Sequence, residues 1–147
     1  MMKILIDADG CPVVNETIKI ATEFNINVIL LCDTAHIMQR EGAETIVISQ
    51  GADAVDFALV NRVSKGDIII TQDYGLAAMV LSKQAYVLNQ NGFQYTNENI
   101  DSLLHTRYVS KKIRNAGGRV KGPKKRQKED NLNFENCLRN LLSSISI

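Results

Sequence analysis

Five aspartates follow short apolar runs of the chain, which is where an α/β sheet places the side chains that bind its ligands. Asp7 and Asp9 come directly after the first run, Asp53 and Asp56 begin a helical pattern after the third, and Asp73 follows the fourth. Carboxylates that converge from separate loops repel one another unless a cation lies between them. Hard oxygen ligands of this kind suit Mg²⁺ or Mn²⁺. Two such ions can bind both the attacking and the leaving oxygen when a phosphodiester is cleaved.

Most of these aspartates also have a structural interpretation. Asp9 can cap a helix from the turn that it forms with Gly10. Asp53 and Asp56 share a helix face in a first turn, where negative charge is favourable. Asp7 is different, because burying a carboxylate at the end of an apolar strand is costly unless it serves a partner.

Apolar runs alternate with helical spacings along the chain, and this alternation predicts βαβ units with a parallel sheet covered on both faces. The predicted strands are 4–6, 27–32, 45–49, 68–71 and 85–88. The predicted helices are 13–24, a short one over 34–41 capped by Asp33, then 52–63, 76–82, 96–115 and 131–144. Cys11 is expected to pack, and His36 and His105 are isolated in the pattern.

The composition is that of a globular protein, with 45% hydrophobic and 22% charged residues. The apolar runs are far shorter than the roughly twenty residues that span a membrane, and no signal peptide is expected at the N-terminus. Three cysteines, an odd number without a CxxC pair, argue against a disulfide framework and a thiolate zinc site. We therefore expect a cytoplasmic protein without a membrane partner.

The charge is distributed very unevenly. Residues 1–106 carry six Lys and Arg against thirteen Asp and Glu, whereas residues 107–128 carry ten Lys and Arg and no acid. A charge run can be merely solvated, but glycines within this one let the backbone approach phosphates, so it predicts a nucleic-acid contact that does not read sequence. The candidate residues are Arg107, Lys111, Lys112, Arg114, Arg119, Lys121, Lys124, Lys125 and Arg126.

Four motifs together resemble the YaiI/YqxD family of small bacterial proteins with a PIN-like fold. They are Asp-Ala-Asp-Gly-Cys-Pro-Val at 7–13, Gly-Ala-Asp-Ala-Val-Asp at 51–56, Ile-Thr-Gln-Asp-Tyr-Gly-Leu-Ala-Ala at 70–78 and Lys-Gly-Pro-Lys-Lys-Arg at 121–126. The acids among them look like the signature of PIN-domain ribonucleases. One segment departs from the family, since its Asn-Pro-Arg-Gly-like sequence appears here as Asn-Gln-Asn-Gly at 89–92, without the arginine.

The resemblance implies roles for individual residues. Asp7, Asp56 and Asp73 match the catalytic, metal-binding acids of PIN enzymes, with Asp9 and Asp53 as auxiliary metal ligands. Thr71 matches a hydroxyl residue that positions a water or an aspartate side chain, although an ordinary strand threonine is an equal alternative.

The resemblance also implies an architecture. It is a three-layer α/β/α fold around a parallel five-stranded sheet ordered 3-2-1-4-5. The whole chain, 1–147, would form a single PIN-like domain with a basic loop at 117–128 and a C-terminal helix at 131–144.

Three functions fit these features. The first is a Mg²⁺- or Mn²⁺-dependent nuclease, most plausibly a ribonuclease that hydrolyses phosphodiesters at the aspartates. The second is a non-catalytic RNA-binding module that keeps the fold and the basic segment. The third is a haloacid-dehalogenase-like phosphatase, because Asp7-Ala8-Asp9 mimics the nucleophile and acid of that family. The phosphatase reading leaves Asp53 and Asp56 unexplained, and Asp67 precedes its strand instead of following it.

Overall fold

A mixed β-sheet of six strands forms the centre of the protein, whose computed structural model describes residues 2–49, 52–118 and 125–145. The strand order is β3-β2-β1-β4-β5-β6, with parallel pairing throughout except between β5 and β6. The strands are β1 Lys3–Asp7, β2 Asn27–Asp33, β3 Glu44–Ile48, β4 Ile68–Ile70, β5 Tyr86–Leu88 and β6 Gln94–Tyr95. The predicted order 3-2-1-4-5 is therefore found in the first five strands.

The predicted number of five strands is wrong, because β6 adds an antiparallel edge. β6 is only two residues long, too short to show a strand pattern in the sequence. It is placed by Asn89, whose side-chain oxygen accepts hydrogen bonds from the backbone N–H groups of Asn91 (2.8 Å) and Phe93 (2.9 Å). Tyr95 is then 2% exposed and pairs with Val87.

Helices cover both faces of the sheet. They are α1 Val14–Glu23, α2 Ala52–Arg62, α3 Tyr74–Leu81, α4 Ile100–Asn115 and α5 Lys128–Ile145. Along β1, Ile4 and Ile6 pack with α1 and α5, whereas Leu5 points to the core formed with α2 and α3. This alternation follows from the two-residue period of a strand and produces the three expected layers. None of the helices within the described residues is long and apolar enough to span a bilayer.

The short helix predicted over 34–41 is wrong, since residues 34–43 form turns and irregular chain. The Asp33 carboxylate accepts hydrogen bonds from the Ala35 N–H (3.0 Å) and from the His36 ring (2.8 Å). A side chain that satisfies nearby groups in this way offers the backbone an alternative to helical bonds. The C-terminal helix begins at Lys128 instead of residue 131. At this start, the Asp130 carboxylate accepts a hydrogen bond of 2.8 Å from the Gln127 N–H.

A buried ion pair closes the amino-terminal edge of the sheet. Asp67 is 1% exposed and accepts from the Lys3 ammonium (2.6 Å), the Lys3 backbone N–H (3.1 Å) and the Ser64 N–H (2.8 Å). The two Lys3 donors join β1 to the residue directly before β4, and these two strands carry the central acids at their other ends.

We predict that Asp67→Ala lowers the free energy of unfolding by about 3 kcal/mol, because it leaves the buried donors without their acceptor. Glu41→Ala, which removes an exposed acid, should change it by less than about 0.5 kcal/mol. Urea denaturation of the two variants measures this difference. Equal stabilities would show that the pair does not tie β1 to β4.

Candidate functional site

Asp7 and Asp73 approach each other because β1 and β4 are neighbours in the sheet. Ile6 is paired with Ile70, so the residues that follow these two positions leave the sheet side by side. The Thr71 hydroxyl donates to Asp7 Oδ2 at 3.0 Å and accepts from the Asp73 N–H at 3.0 Å. Thr71 is 2% exposed, so a buried hydroxyl links the two acids.

Asp73 is held in place as the N-cap of α3. Its Oδ1 accepts hydrogen bonds from the backbone N–H groups of Gly75 (2.8 Å) and Leu76 (3.2 Å), which satisfies donors that the helix start leaves free. Arg107 Nη1, reaching over from α4, lies 3.5 Å from the same oxygen. The carboxylate is thus fixed by the backbone and faces one guanidinium.

All five predicted aspartates line one cavity, which we call the acid cavity. Its volume is about 320 Å³. The cavity is lined by Asp7, Asp9, Asp33, Asp53, Val55, Asp56, Asp73 and Arg107. The structure therefore brings together acids from the ends of β1 and β2, from the first turns of α2 and from the start of α3.

Two carboxyl groups in the acid cavity, those of Asp56 and Asp7, have a raised pKa. Burial raises the pKa of Asp56 to about 6, and the nearby carboxylates of Asp73, Asp7 and Asp53 add to the effect. Burial also raises the pKa of Asp7; the Thr71 hydrogen bond opposes this rise, while Asp73 and Asp9 increase it. The site therefore holds more negative charge than Arg107 offsets.

Two residues of this region are not among those that the sequence pattern singled out. His36 Nδ1 lies 2.8 Å from Asp33 Oδ1 and 3.6 Å from Asp9 Oδ1. Ligand atoms of these three residues lie within 4.8 Å of one another, a spacing that the described residues do not show for Asp7, Asp56 and Asp73 together. Asp33 was recognisable as an acid at the end of β2, whereas the position of His36 depends on the turn that replaces the predicted helix.

The predicted basic residues fall into three groups. Arg107 reaches the acid cavity. Exposed cations of α4 lie beyond it, and the Lys112 ammonium is 5.1 Å from the ring centroid of exposed Tyr108. These cations are Lys111, Lys112 and Arg114, and Lys125 is exposed beyond the helix. Arg119, Lys121 and Lys124 lie outside the described residues.

Arg126 has a different environment, because protein acceptors occupy its guanidinium. It donates to the Gln90 carbonyl (2.7 Å), Asn91 Oδ1 (2.5 Å) and Asn131 Oδ1 (2.9 Å). The 89–92 segment, which carries no arginine of its own, therefore receives a guanidinium from Arg126, two residues before α5. Arg126 acts here as a brace between that segment and the helix.

A larger cavity of about 470 Å³ adjoins the acid cavity and shares Asp7, Asp9, Asp73 and Arg107 with it. We call it the side cavity. Its further lining residues are Gly10, Cys11, Ile70, Thr71, Gln72, Tyr74 and Gln90. Burial raises the pKa of the Cys11 thiol to about 11, so that thiol is protonated at neutral pH and is a poor nucleophile.

Comparison with known proteins assigns the chain to a family. The family model described as "Uncharacterized BCR, YaiI/YqxD family" matches residues 5–144. This chain belongs to the YaiI/YqxD family. Among its relatives, a UPF0178 protein of Exiguobacterium sibiricum is 57% identical over 142 residues, covering 97% of each chain. A UPF0178 protein of Clostridium acetobutylicum is 49% identical over 143 residues, covering 96% of this chain and 97% of the relative.

Among solved structures, a mutant of Rae1 (YacP) from Bacillus subtilis is similar to this YaiI/YqxD protein with a TM-score of 0.48 and 13% sequence identity. The likeness covers 98% of this chain and 99% of the other.

We predict that Asp56→Asn stabilises the metal-free protein near pH 7 and that the gain disappears as the pH falls toward 4. The pKa of Asp56 is raised to about 6 in the folded protein, above the ordinary value near 4 of the unfolded chain. Between these values the folded state binds more protons, so wild-type stability falls as the pH rises, and the full penalty is present above 6. The amide cannot ionise and escapes it.

The measurement is the free energy of urea unfolding in EDTA at several pH values. Asp101→Asn, which changes an exposed aspartate in the first turn of α4, is the matched control and should show no comparable pH-dependent gain. A loss of stability in Asp56→Asn near pH 7 would mean that the carboxylates do not repel one another as described.

Proposed function

We propose that this protein is a divalent-metal-dependent nuclease with a PIN-like fold that hydrolyses phosphodiesters of RNA. The observation that carries the proposal is the acid cavity, which five carboxylates from the end of β1 and the starts of α2 and α3 line together. Burial and the neighbouring carboxylates raise the pKa of two of them, Asp7 and Asp56. Such a donor set, oxygen-only and strongly negative, fits Mg²⁺ or Mn²⁺. Asp7, Asp56 and Asp73 would hold the ion, with Asp9 and Asp53 at its margin. A bound ion would supply Lewis-acid stabilisation of the phosphate charge.

The residues around the acids then have distinct tasks. The Thr71 hydroxyl fixes the orientation of Asp7, and the α3 cap fixes that of Asp73. Arg107, 3.5 Å from Asp73 and exposed on its outer side, is placed to bind a non-bridging phosphate oxygen through its guanidinium. Positioning the reacting phosphate against fixed acids is a large part of what a phosphodiesterase must do.

The exposed cations of α4 extend the site for a nucleic-acid backbone. Arg107 belongs to the same helix as Lys111, Lys112 and Arg114, so one positive surface begins at the acids and leads away from them. Phosphates along this surface would be held without sequence preference. The three cysteines are free, which suits the reducing cytoplasm where we place this activity.

One observation favours a second candidate, a non-catalytic RNA-binding module. The ligand atoms of Asp7, Asp56 and Asp73 are spread more widely than those of Asp9, Asp33 and His36. The phosphatase alternative receives less support, because Asp67 is bound to Lys3 and Ser64 at the opposite edge of the sheet.

We predict that Mn²⁺ at about 100 times its dissociation constant raises the melting temperature of the wild type on the order of 5–10 °C. The double variant Asp7→Asn, Asp73→Asn should lose this rise, because two of the ligands no longer carry charge. Asp101→Asn keeps all five acids and should behave as wild type. An undiminished rise in the double variant would place the ion elsewhere, for instance at His36.

We predict that single-stranded RNA is cleaved in Mn²⁺ and remains intact in EDTA. Asp56→Asn should reduce the cleavage rate by at least about 100-fold. RNA binding should be retained, because this acid contributes to the reaction and not to RNA affinity. Gel analysis of end-labelled RNA measures both. Bound metal and bound RNA without cleavage across many sequences would favour the binding module.

We predict that replacing Lys111, Lys112 and Arg114 with alanine weakens binding to all RNA sequences alike. The slope of log affinity against log salt should flatten by up to about two units, at about 0.7 per lost phosphate contact on a single strand. Lys65→Ala, an exposed cation far from the acids, is the control. An unchanged slope in the triple variant would mean that α4 does not bind the backbone.

A further inference from the structure

The side cavity is a second compartment directly beside the acids. It shares four lining residues with the acid cavity, and its volume of about 470 Å³ lies in the range of small-molecule sites. Its remaining wall differs in chemistry, because it contributes an aromatic ring, two carboxamides and buried apolar surface in place of carboxylates. A ligand that reaches from one cavity into the other must therefore have an anionic part and a part with a flat, hydrogen-bonding surface.

Tyr74 gives the side cavity a fixed aromatic wall. The residue is half-buried in the first turn of α3, next to Asp73. Its ring meets the ring of Tyr95 edge to face, with centroids 5.8 Å apart and planes at 68°, and Phe93 holds Tyr95 in the same way at 5.5 Å. A ring positioned by such contacts is a preformed surface on which a flat group can stack.

Gln90 gives the side cavity an unsatisfied polar group. Its Oε1 is enclosed, and the described residues provide no hydrogen-bond partner for it. Its backbone carbonyl is bound by Arg126 at 2.7 Å, so the residue cannot simply move away. The terminal amide of glutamine can turn about its last torsion and offer either its oxygen or its nitrogen. An enclosed acceptor without a partner is unfavourable, and a ligand with an N–H or O–H group would relieve this.

Another part of the lining is also braced. The Gln72 side chain donates to the Gly10 carbonyl at 3.2 Å and thereby joins the loop after β4 to the loop after β1. The Arg107 guanidinium lies at the border between the two cavities. The side cavity thus combines a cation for phosphate, an aromatic residue and a free carboxamide in one lining.

We propose that the side cavity binds the base and sugar of the nucleotide whose phosphate lies at the acid cavity. Tyr74 stacks on the base, and Gln90 hydrogen-bonds to its polar edge. This inference rests on the proposed function and narrows it, because a base can enter such a cavity only when it is unpaired and unstacked. The substrate class is therefore single-stranded nucleic acid, and the side cavity recognises one base, that of the nucleotide at the cut site.

The test is isothermal titration calorimetry of the full chain with the 5′-monophosphates of adenosine, guanosine, cytidine and uridine in Mg²⁺. Tyr74→Leu should weaken binding by about tenfold because the stacking surface is lost. Gln90→Leu, close in volume, should weaken it by about fivefold for the preferred base and flatten the differences among the four. Tyr108→Leu removes an exposed tyrosine of α4 outside the cavity and should have no effect.

Melting temperatures of the variants show whether Tyr74→Leu remains folded, and Gln90→Leu, which replaces an unpaired amide, serves as the independent variant. No binding of any monophosphate, or equal binding by wild type, Tyr74→Leu and Gln90→Leu, would overturn the inference. RNA cleavage at wild-type rate in both variants would overturn it while leaving the nuclease proposal intact. Monophosphate binding that both variants weaken, without RNA cleavage by the wild type, would support the nucleotide site and contradict the nuclease.

Discussion

Repulsion among the carboxylates at the carboxyl edge of the sheet is the constraint on which this site depends. Parallel pairing of β1 with β4 forces Asp7 and Asp73 toward each other, and the first turns of α2 add Asp56. Burial raises the pKa values of Asp7 and Asp56, and the neighbouring carboxylates raise them further. Repulsion within such a cluster lowers the free energy of unfolding, and binding of a cation or a proton removes that repulsion.

The two ends of the same strands illustrate two ways of handling buried charge. At the amino-terminal edge, Asp67 has three donors, one of which is the Lys3 ammonium. At the carboxyl edge, Asp73 has two backbone donors and an exposed arginine 3.5 Å away, and Asp7 has one hydroxyl. The first arrangement holds the sheet together, whereas the second leaves charge available for a ligand. Surplus negative charge in a cleft, next to exposed cations on α4, is an arrangement suited to binding rather than to stability.

Much of the architecture can be predicted from the sequence, because it depends on local periodicity and strand ends. The apolar runs of β1 and β4 and the acids that follow them are legible without tertiary information. The antiparallel strand β6 is not, since it is two residues long and depends on hydrogen bonds that Asn89 accepts from the backbone. The turn after β2 is not either, because Asp33 could equally have capped a helix, and His36 reaches the acids only through that turn.

The basic segment shows another limit of sequence patterns. A count of cations treats Arg107, Lys112 and Arg126 as equals, yet they differ completely in three dimensions. Arg107 faces Asp73, and Lys112 lies near the Tyr108 ring. The Arg126 guanidinium instead donates its hydrogen bonds to Gln90, Asn91 and Asn131. Charge identifies the segment as an electrostatic feature, but only the acceptors around each guanidinium decide which one remains available to a phosphate.

The most direct test of the central claim is anomalous diffraction at the manganese edge from crystals soaked in Mn²⁺. The account predicts density inside the acid cavity, coordinated by Asp7 and Asp73 with Asp56 in the same shell or joined through water. Density only between Asp9, Asp33 and His36, or none at a Mn²⁺ concentration that shifts the melting temperature, would contradict the assignment of the aspartates as the metal centre.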